Sequence, residues 1–143
     1  MAALTWYLDA SFLVALLTAE PFSERADDFL ERHPAPLIVS DFAAAEFASA
    51  IARRVRSRES SREDAVQDLS DFDLWTARST TYVELVATDI ARAASFLRRL
   101  DLPLRTPDAI HIAIAKRIDA TLVTFDRGMT ASARALGTTV MTP

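Results

Sequence analysis

Residues 106–126 read TPDAIHIAIAKRIDATLVTFD and combine a helix and a strand that are both too apolar to face water. Thr106 and Pro107 predict the helix start, with threonine as N-cap and proline at the first helical position. The residues that follow, to about Ile118, are apolar on nearly every side, which indicates a buried helix. Thr121–Phe125 is a short apolar run typical of a buried strand. A buried helix that leads into a buried strand indicates an α/β fold.

The rest of the chain repeats this alternation of elements. The predicted strands are Leu4–Leu8, Leu37–Val39, Tyr82–Val86, Thr121–Phe125 and Thr138–Met141. The other predicted helices are Ser11–Ala19, Phe22–Arg32, Ser40 (as N-cap) to about Arg56, Arg62–Phe72, Thr88 or Asp89 to Leu100, and Thr130–Leu136. This order predicts a parallel sheet of four to five strands with helices on both faces. No repeat or Gly/Ser linker interrupts the chain, so we expect one domain over residues 1–143.

Composition narrows the classes of protein that fit. The chain has 143 residues, of which half are hydrophobic and a quarter charged, so it is expected to fold as an ordinary globular domain. It has no cysteine, which excludes disulfides, thiolate catalysis and cysteine-ligated zinc. No apolar run approaches the roughly 20 residues that span a bilayer, and no secretory signal opens the chain. We therefore expect a cytoplasmic protein without membrane contact.

The net charge is −4, which by itself disfavours a nucleic-acid partner. Two divalent cations held by four carboxylates would bring this balance to about zero. Lys116 is the only lysine, so nearly all the basic residues are arginine, which suits bidentate contacts with phosphate. The chain is also rich in alanine, and the base composition of the genome can by itself produce a bias toward arginine and alanine.

Four carboxylates lie beside apolar runs, where a charge is costly unless it finds a partner or a metal. Asp9 and Asp126 each follow a predicted strand. Glu46 shares a helix face with apolar neighbours, and Asp108 opens the buried helix. Ligands of parallel sheets bind at the carboxyl ends of the strands, so we expect one acidic pocket there. An all-oxygen pocket suits Mg²⁺ or Mn²⁺.

Each carboxylate also has an ordinary structural explanation. Asp9 is placed to cap the helix that follows it, and Asp108 to favour the dipole of its own helix. Asp126 precedes Arg127-Gly128 and suits a turn. Glu46 is the hardest to explain in this way, because a solvated glutamate would lie opposite the apolar face. A buried ion pair with an arginine is its main structural alternative.

The segments that carry these acids resemble the motifs of PIN-domain proteins. Tyr7–Leu13 (YLDASFL) resembles their opening motif, and Ser40–Glu46 (SDFAAAE) resembles the second acidic position. Asp108–Ala115 (DAIHIAIA) is similar to the third, and Leu122–Asp126 (LVTFD) to the fourth. The order, the spacing and the total length resemble most the VapC-type toxins of bacterial toxin–antitoxin pairs.

The resemblance implies a metal-dependent endoribonuclease whose Mg²⁺ or Mn²⁺ ligands and catalytic residues are Asp9, Glu46, Asp108 and Asp126. A metal-activated water would then cleave RNA phosphodiesters. The resemblance further implies a homodimer and a cognate antitoxin that blocks the acidic pocket, often by presenting an arginine to it. Candidates for these interfaces, with core packing as the alternative, are Phe12, Phe22 and Phe29.

Two hydroxyl residues lie close in sequence to the predicted ligands. Ser11 and Thr124 are candidates for side chains that orient Asp9 and Asp126. Helix capping and strand propensity are the alternative explanations for these two hydroxyls. Two other functions also stay open for the same acidic fold, namely a non-catalytic PIN-like module that binds RNA or protein and a housekeeping RNA-processing nuclease.

Several arginines are candidates for contacts with RNA. Arg105 lies near Asp108 and Arg127 next to Asp126, so either can contact a substrate phosphate or form a structural ion pair. A basic cluster can follow an RNA backbone or simply favour a helix C-terminus. The members of this cluster are Arg53, Arg54, Arg56, Arg58 and Arg62.

Other hydrolytic chemistries find little support. The only histidines are His33, in a proline-bounded break, and His111, in the buried helix, and we expect both to cap or pack. No nucleophile-elbow sequence accompanies them, and two glycines in the whole chain do not make a phosphate-binding loop. A phosphoryl-transfer module would require an acid close to Asp9, where Ser11 lies instead.

Overall fold

The computed structural model describes residues 3–143, in which five strands form one parallel sheet. The strands are β1 (Trp6–Leu8), β2 (Leu37–Ser40), β3 (Thr81–Val83), β4 (Thr121–Val123) and β5 (Val140–Met141). Their order across the sheet is β3-β2-β1-β4-β5, and every neighbouring pair is parallel. The predicted α/β fold with a parallel sheet of four to five strands is confirmed.

Seven helices in the described chain cover the two faces of this sheet. They are α1 (Ala10–Leu17), α2 (Ser23–Arg32), α3 (Asp41–Arg56), α4 (Arg62–Ser79), α5 (Ala87–Leu97), α6 (Thr106–Arg117) and α7 (Arg127–Ala135). Helices α1–α4 supply one buried apolar cluster and α5–α7 the other. Strand β1 separates the clusters, since Trp6 and Leu8 belong to the first and Tyr7 to the second. No helix of residues 3–143 is long and apolar enough to cross a membrane.

Helix α4 is longer than predicted. The prediction ended it near Phe72, whereas the helix continues to Ser79. No glycine or proline interrupts these residues, and Trp75 packs against the core in the added turn. Strands β1, β3, β4 and β5 are shorter than their apolar runs because only part of each run pairs with a neighbour.

Helices α6 and α7 also begin at other residues than predicted. Arg105 occupies the N-cap position of α6, so the expectation that Thr106 caps this helix is wrong. Helix α7 begins at Arg127 rather than Thr130, because the Asp126 side chain accepts the backbone N–H of Met129 and starts the helix earlier.

An ion pair joins α5 to α6. The carboxylate of Asp89, which is 2% exposed, accepts from the Arg117 guanidinium at 2.8 and 3.0 Å and from the backbone N–H of Val86 at 3.0 Å. Arg117 also donates to the carbonyl oxygen of Glu84 at 3.0 Å. Both partners use several bonds, so this pair orders the end of α6 relative to the start of α5.

The strand order reverses between β1 and β4. From β1 the chain builds β2 and β3 on one side and later β4 and β5 on the other. In open parallel sheets such a reversal leaves a crevice at the carboxyl ends of the two strands. Asp9 directly follows β1, and Asp126 follows β4, so both acids lie at this crevice.

Candidate active site

Asp9 lies at the end of β1, and its carboxylate is almost completely buried. Its Oδ1 accepts the Ser11 hydroxyl at 2.7 Å and the backbone N–H of Phe12 at 3.0 Å. Its Oδ2 accepts the Thr124 hydroxyl at 2.5 Å. Burial raises the pKa of Asp9, and these hydrogen bonds oppose that shift without reversing it. Asp9 therefore caps α1 and also holds a buried carboxyl group at the crevice.

Ser11 and Thr124 each connect Asp9 to the segment after β4. Ser11 Oγ accepts the backbone N–H of Phe125 at 3.1 Å, and Thr124 Oγ1 accepts that of Asp126 at 3.0 Å. A hydroxyl has one hydrogen, so each donates to Asp9 while its lone pair receives the backbone donor. The two hydroxyls thus fix the Asp9 carboxylate relative to the backbone that carries Asp126.

Asp126 and Asp108 both lie at helix starts. Asp126 Oδ1 accepts the backbone N–H of Met129 at 3.0 Å, and Asp108 Oδ2 accepts that of Arg105 at 3.3 Å. Burial raises the pKa of Asp108, and the nearby negative charge of Asp126 raises it further. The two carboxylates are therefore close enough to interact electrostatically at the same end of the sheet.

Glu46 projects from α3 and is bonded to a histidine rather than to an arginine. Its Oε1 is hydrogen-bonded to Nε2 of His111, which lies in α6 and is 1% exposed. His111 Nδ1 is 2.7 Å from the Tyr7 hydroxyl, which lies 2.8 Å from Ser40 Oγ. The structural alternative for Glu46, a buried ion pair with an arginine, is therefore not what the structure shows. The expectation that His111 packs is correct but omits its two polar contacts.

The four predicted acids line one cleft of about 400 Å³. Asp9 follows β1, Glu46 lies in α3, Asp108 lies in α6 and Asp126 follows β4, so only the fold brings the four acids together. The cleft is also lined by other side chains that carry polar or charged groups, namely Ser11, Arg53, Arg105 and His111.

Among residues 3–143, no group of three or more His, Asp or Glu side chains is arranged as a ready-made cation site. Each acid instead takes a donor from the protein, such as the His111 ring on Glu46. The donor set nevertheless fits a hard divalent cation, because it consists of carboxylate oxygens. Burial raises the pKa of Asp9 and Asp108, and a cation would stabilise their ionised forms.

The predicted arginines divide into those that reach the cleft and those that do not. Arg105 lies at the rim with its side chain 80% exposed, and its Nε is 3.9 Å from Asp108 Oδ2. Arg53 lines the cleft, whereas Arg54 donates to Thr18 Oγ1 at 3.0 Å. The remaining predicted arginines are exposed and do not line this cleft, namely Arg56, Arg58, Arg62 and Arg127.

A second cleft of about 500 Å³ adjoins the first, and the lining residues that the two share are Ala10, Ser11, Glu46, Arg53 and Asp126. Its wall includes Phe22, which is 40% exposed and stacks on Phe125 with ring centroids 4.9 Å apart. The other aromatic interface candidates, Phe12 and Phe29, are buried in the core, so for these two the alternative of core packing holds.

Comparison with known proteins identifies the family of this chain. The sequence model of the PIN domain family matches residues 6–135, which include strands β1 to β4 and all seven helices. The chain belongs to the PIN domain family. This PIN domain is 34% identical to Ribonuclease VapC46 of Mycobacterium tuberculosis over 147 residues, covering 100% of the chain and 99% of the relative.

Solved structures show the same PIN fold. The VapC20 toxin of Mycobacterium tuberculosis superposes with a TM-score of 0.72 at 17% identity, covering 89% of this chain and 94% of VapC20. VapBC2 of Rickettsia felis, bound to a promoter DNA fragment, superposes with a TM-score of 0.73 at 16% identity, covering 97% of this chain and 98% of that one. At these identities the likeness shows a shared fold.

Sequence reasoning missed the roles of Tyr7 and Ser40. Tyr7 reads as an ordinary strand residue, and Ser40 as an N-cap, which it is, since it accepts the backbone N–H of Ala43 at 3.0 Å. The available signal was His111, the one polar side chain in the buried run 109–115, because a buried imidazole requires polar partners.

Proposed function

We propose that this PIN domain is a metal-dependent endoribonuclease that acts as the toxin of a toxin–antitoxin pair. The observation that carries the proposal is the convergence of four acids, from four separate elements, on one cleft at the strand reversal. The full-length similarity to a protein named Ribonuclease VapC46 supports RNA as the substrate. A ribonuclease of this kind cleaves phosphodiester bonds, for which a hard divalent cation is a suitable cofactor.

The residues that would hold Mg²⁺ or Mn²⁺ are Asp9, Glu46, Asp108 and Asp126. When bound, such a cation supplies activation of the attacking water and stabilises charge on the phosphodiester oxygens. The protein supplies the geometry. Ser11 and Thr124 keep the Asp9 carboxylate from rotating, and the Asp126 carboxylate is held by its bond to the first turn of α7.

We propose that two arginines bind the phosphates that flank the cleavage site. Arg53 and Arg105 both line the acidic cleft, and Arg105 is largely exposed. A guanidinium binds phosphate through paired hydrogen bonds, so these side chains would orient the RNA backbone at the cleft. We propose Arg53 in place of Arg127, because Arg127 lies outside the cleft lining.

We also propose an antitoxin as the partner. Several structural neighbours are toxin–antitoxin assemblies, including VapBC2 of Rickettsia felis and FitAB bound to DNA. An acidic cleft attracts a basic side chain, so an antitoxin arginine would compete with the cation and the RNA there. The exposed Phe22 beside the cleft is a candidate contact. A homodimer in the cytoplasm completes the proposal.

The test is cleavage of total cellular RNA by the purified chain without its partner. We expect discrete fragments with Mg²⁺ or Mn²⁺ that disappear with EDTA and in Asp9→Asn and Glu46→Gln variants. Asp27→Asn, an exposed acid on α2, is the matched control and should cleave normally. No cleavage by a folded protein that binds Mn²⁺ would favour a non-catalytic binding module.

Co-expression distinguishes the toxin from a housekeeping nuclease. We expect growth arrest when the protein is expressed alone and recovery when a cognate antitoxin is expressed with it; a small reading frame directly upstream of its gene would be the candidate. Asp9→Asn should remove the arrest in the absence of any antitoxin. RNA cleavage in vitro without growth arrest, and without neutralisation by such an antitoxin, would favour RNA processing.

A further inference from the structure

A continuous chain of hydrogen bonds ends at Glu46. It begins at Ser40 Oγ, passes to the Tyr7 hydroxyl at 2.8 Å, and continues to His111 Nδ1 at 2.7 Å. The opposite ring nitrogen of His111 contacts Glu46 Oε1. Ser40, Tyr7 and His111 are each at most 1% exposed, so solvent does not compete for these bonds.

One arrangement of hydrogens satisfies this chain with a neutral histidine and an ionised glutamate. Ser40 Oγ receives the backbone N–H of Ala43 at 3.0 Å, so its own hydrogen is free to be donated to Tyr7. Tyr7 then donates to His111 Nδ1, which leaves the ring hydrogen on Nε2 to be donated to Glu46. The reverse direction leaves the Ser40 hydrogen without an acceptor, and burial raises the pKa of Tyr7, which keeps its phenol protonated.

Packing alone does not explain a histidine at this position. Residues 109–115 of α6 are AIHIAIA, all buried, and every one except His111 is apolar. A buried polar ring costs free energy unless both nitrogens have partners, and the partners here come from β1 and α3. These hydrogen bonds therefore connect four elements beside the acidic cleft, namely β2, β1, α6 and α3.

We propose that His111, oriented by Tyr7 and Ser40, is a positioning residue that holds the Glu46 carboxylate at the cleft. Glu46 Oε1 is engaged by the ring, and no described residue donates to Oε2. The side chain is 29% exposed and lines the acidic cleft, so Oε2 is the atom left for a divalent cation or its water. This inference rests on the proposed function, because it assigns Glu46 to the same cation site.

Binding of Mn²⁺ to the RNA-free protein tests the inference by calorimetry. Tyr7→Phe keeps the ring and removes the hydroxyl that orients His111, so we expect Mn²⁺ affinity to fall about tenfold. His111→Leu fills a similar volume without a donor, whereas the amide of His111→Gln can still donate to Glu46. We expect the glutamine variant to bind Mn²⁺ more tightly than the leucine variant.

Thr76→Val is the matched control, because it removes a hydroxyl that donates to Phe72 in α4, away from the cleft. Its Mn²⁺ affinity should equal that of the original protein. If His111 only packs, the leucine variant should bind Mn²⁺ at least as well as the glutamine variant. That result in folded proteins, or unchanged affinity in Tyr7→Phe, overturns the inference.

Nitrogen NMR of the imidazole rings supplies a second readout that packing does not affect. We expect His111 to carry its hydrogen on Nε2, and Tyr7→Phe to produce a mixture of the two tautomers. His33→Gln identifies the signals of the other histidine. A hydrogen on Nδ1 in the original protein, or its failure to bind Mn²⁺, overturns the inference. Loss of RNA cleavage alone bears on the proposed function instead, because neither readout contains RNA.

Discussion

The Thr124 hydroxyl donates to Asp9 Oδ2 at 2.5 Å and connects the ends of the two central strands across 115 residues of sequence. Thr124 Oγ1 also receives the backbone N–H of Asp126, so one side chain contacts two of the four acids. The acidic cleft is thereby built on the most deeply buried strands of the sheet rather than on a surface loop. Its geometry depends on how β1 and β4 align.

Removal of this hydroxyl should weaken the site more than the fold. In Thr124→Val, Asp9 Oδ2 loses its donor, and we expect about 1–3 kcal/mol lower unfolding free energy. We expect RNA cleavage to fall about 10–100-fold, because one of the two oxygens of the Asp9 carboxylate is no longer held. Urea unfolding and a cleavage assay measure the two effects. Thr88→Val, an exposed threonine on α5, is the control, and equal activity of the two variants would contradict the assigned role.

The raised pKa values of Asp9 and Asp108 determine how stability changes with pH. In the unfolded chain an aspartate releases its proton at about pH 3.9. In the folded protein Asp9 and Asp108 keep their protons to a higher pH. Their contribution to the unfolding free energy therefore decreases as pH rises from that value through the raised folded-state pKa. With EDTA present, we expect the unfolding free energy of Asp9→Asn to increase relative to that of the original protein as pH rises across this window.

Urea unfolding at a series of pH values checks this expectation. Asp27→Asn should track the original protein, because Asp27 is exposed on α2. Addition of Mg²⁺ should stabilise the original protein at neutral pH. It should have little effect at a pH of about 3.9, where the raised pKa values of Asp9 and Asp108 keep both carboxyl groups protonated. A stability difference between Asp9→Asn and the original protein that does not change with pH would contradict the expected titration.

The ion pair between Asp89 and Arg117, which lies away from the cleft, should make a large contribution to the free energy of unfolding. Arg117→Met leaves the Asp89 carboxylate buried without its cation, which we expect to cost about 3–5 kcal/mol of unfolding free energy. Arg117→Lys should recover only part of this loss, since an ammonium does not form the paired bonds of a guanidinium. Thermal or urea unfolding measures both variants. Full recovery by lysine would show that charge alone is sufficient.

Gly128 lies two residues after Asp126, in the first turn of α7, and its backbone is close to the Asp126 carboxylate. A Cβ at this glycine would lie 3.3 Å from Asp126 Oδ1, so Gly128→Ala must displace that carboxylate slightly. The substitution also favours the helix by about 0.5–1 kcal/mol. We expect cleavage to fall about tenfold while the unfolding free energy stays within about 1 kcal/mol of the original. Ala131→Ser on the same helix is the control, and unaltered cleavage in Gly128→Ala would argue against Asp126 as a ligand.

Leu100 is a site where stability can be gained. It follows α5 with a φ of 67° and is 90% exposed, so it has a left-handed backbone without compensating burial. This conformation costs a non-glycine residue about 1–2 kcal/mol, and we expect Leu100→Gly to recover up to about 1 kcal/mol, measured by urea unfolding. Leu100→Ala retains the Cβ and should give no gain. An equal gain in both variants would trace the effect to the exposed leucine rather than to its backbone.

The fold was predictable because it follows from local patterns. Short apolar runs and apolar helix faces alternate along the chain, and each pattern is contained within one element. Similar patterns identified the four acids of the cleft. Asp9 and Asp126 follow apolar strand runs and Asp108 opens a buried helix, whereas Glu46 lies on the apolar face of a helix. Helix starts were less predictable. The sequence around Asp126 suits a turn as well as a helix cap, and only the bond from the Met129 N–H to its carboxylate shows that it caps α7.

The sequence by itself therefore determined an α/β sheet with acids at its carboxyl edge, since these features depend on neighbouring residues. Only the tertiary structure decided which groups meet across the chain. His111 contacts Glu46 across 65 residues and Tyr7 across 104, and Arg53 rather than Arg127 reaches the cleft. Such partners are selected by how the helices pack on the sheet, because a side chain reaches a distant residue only after burial has fixed both backbones.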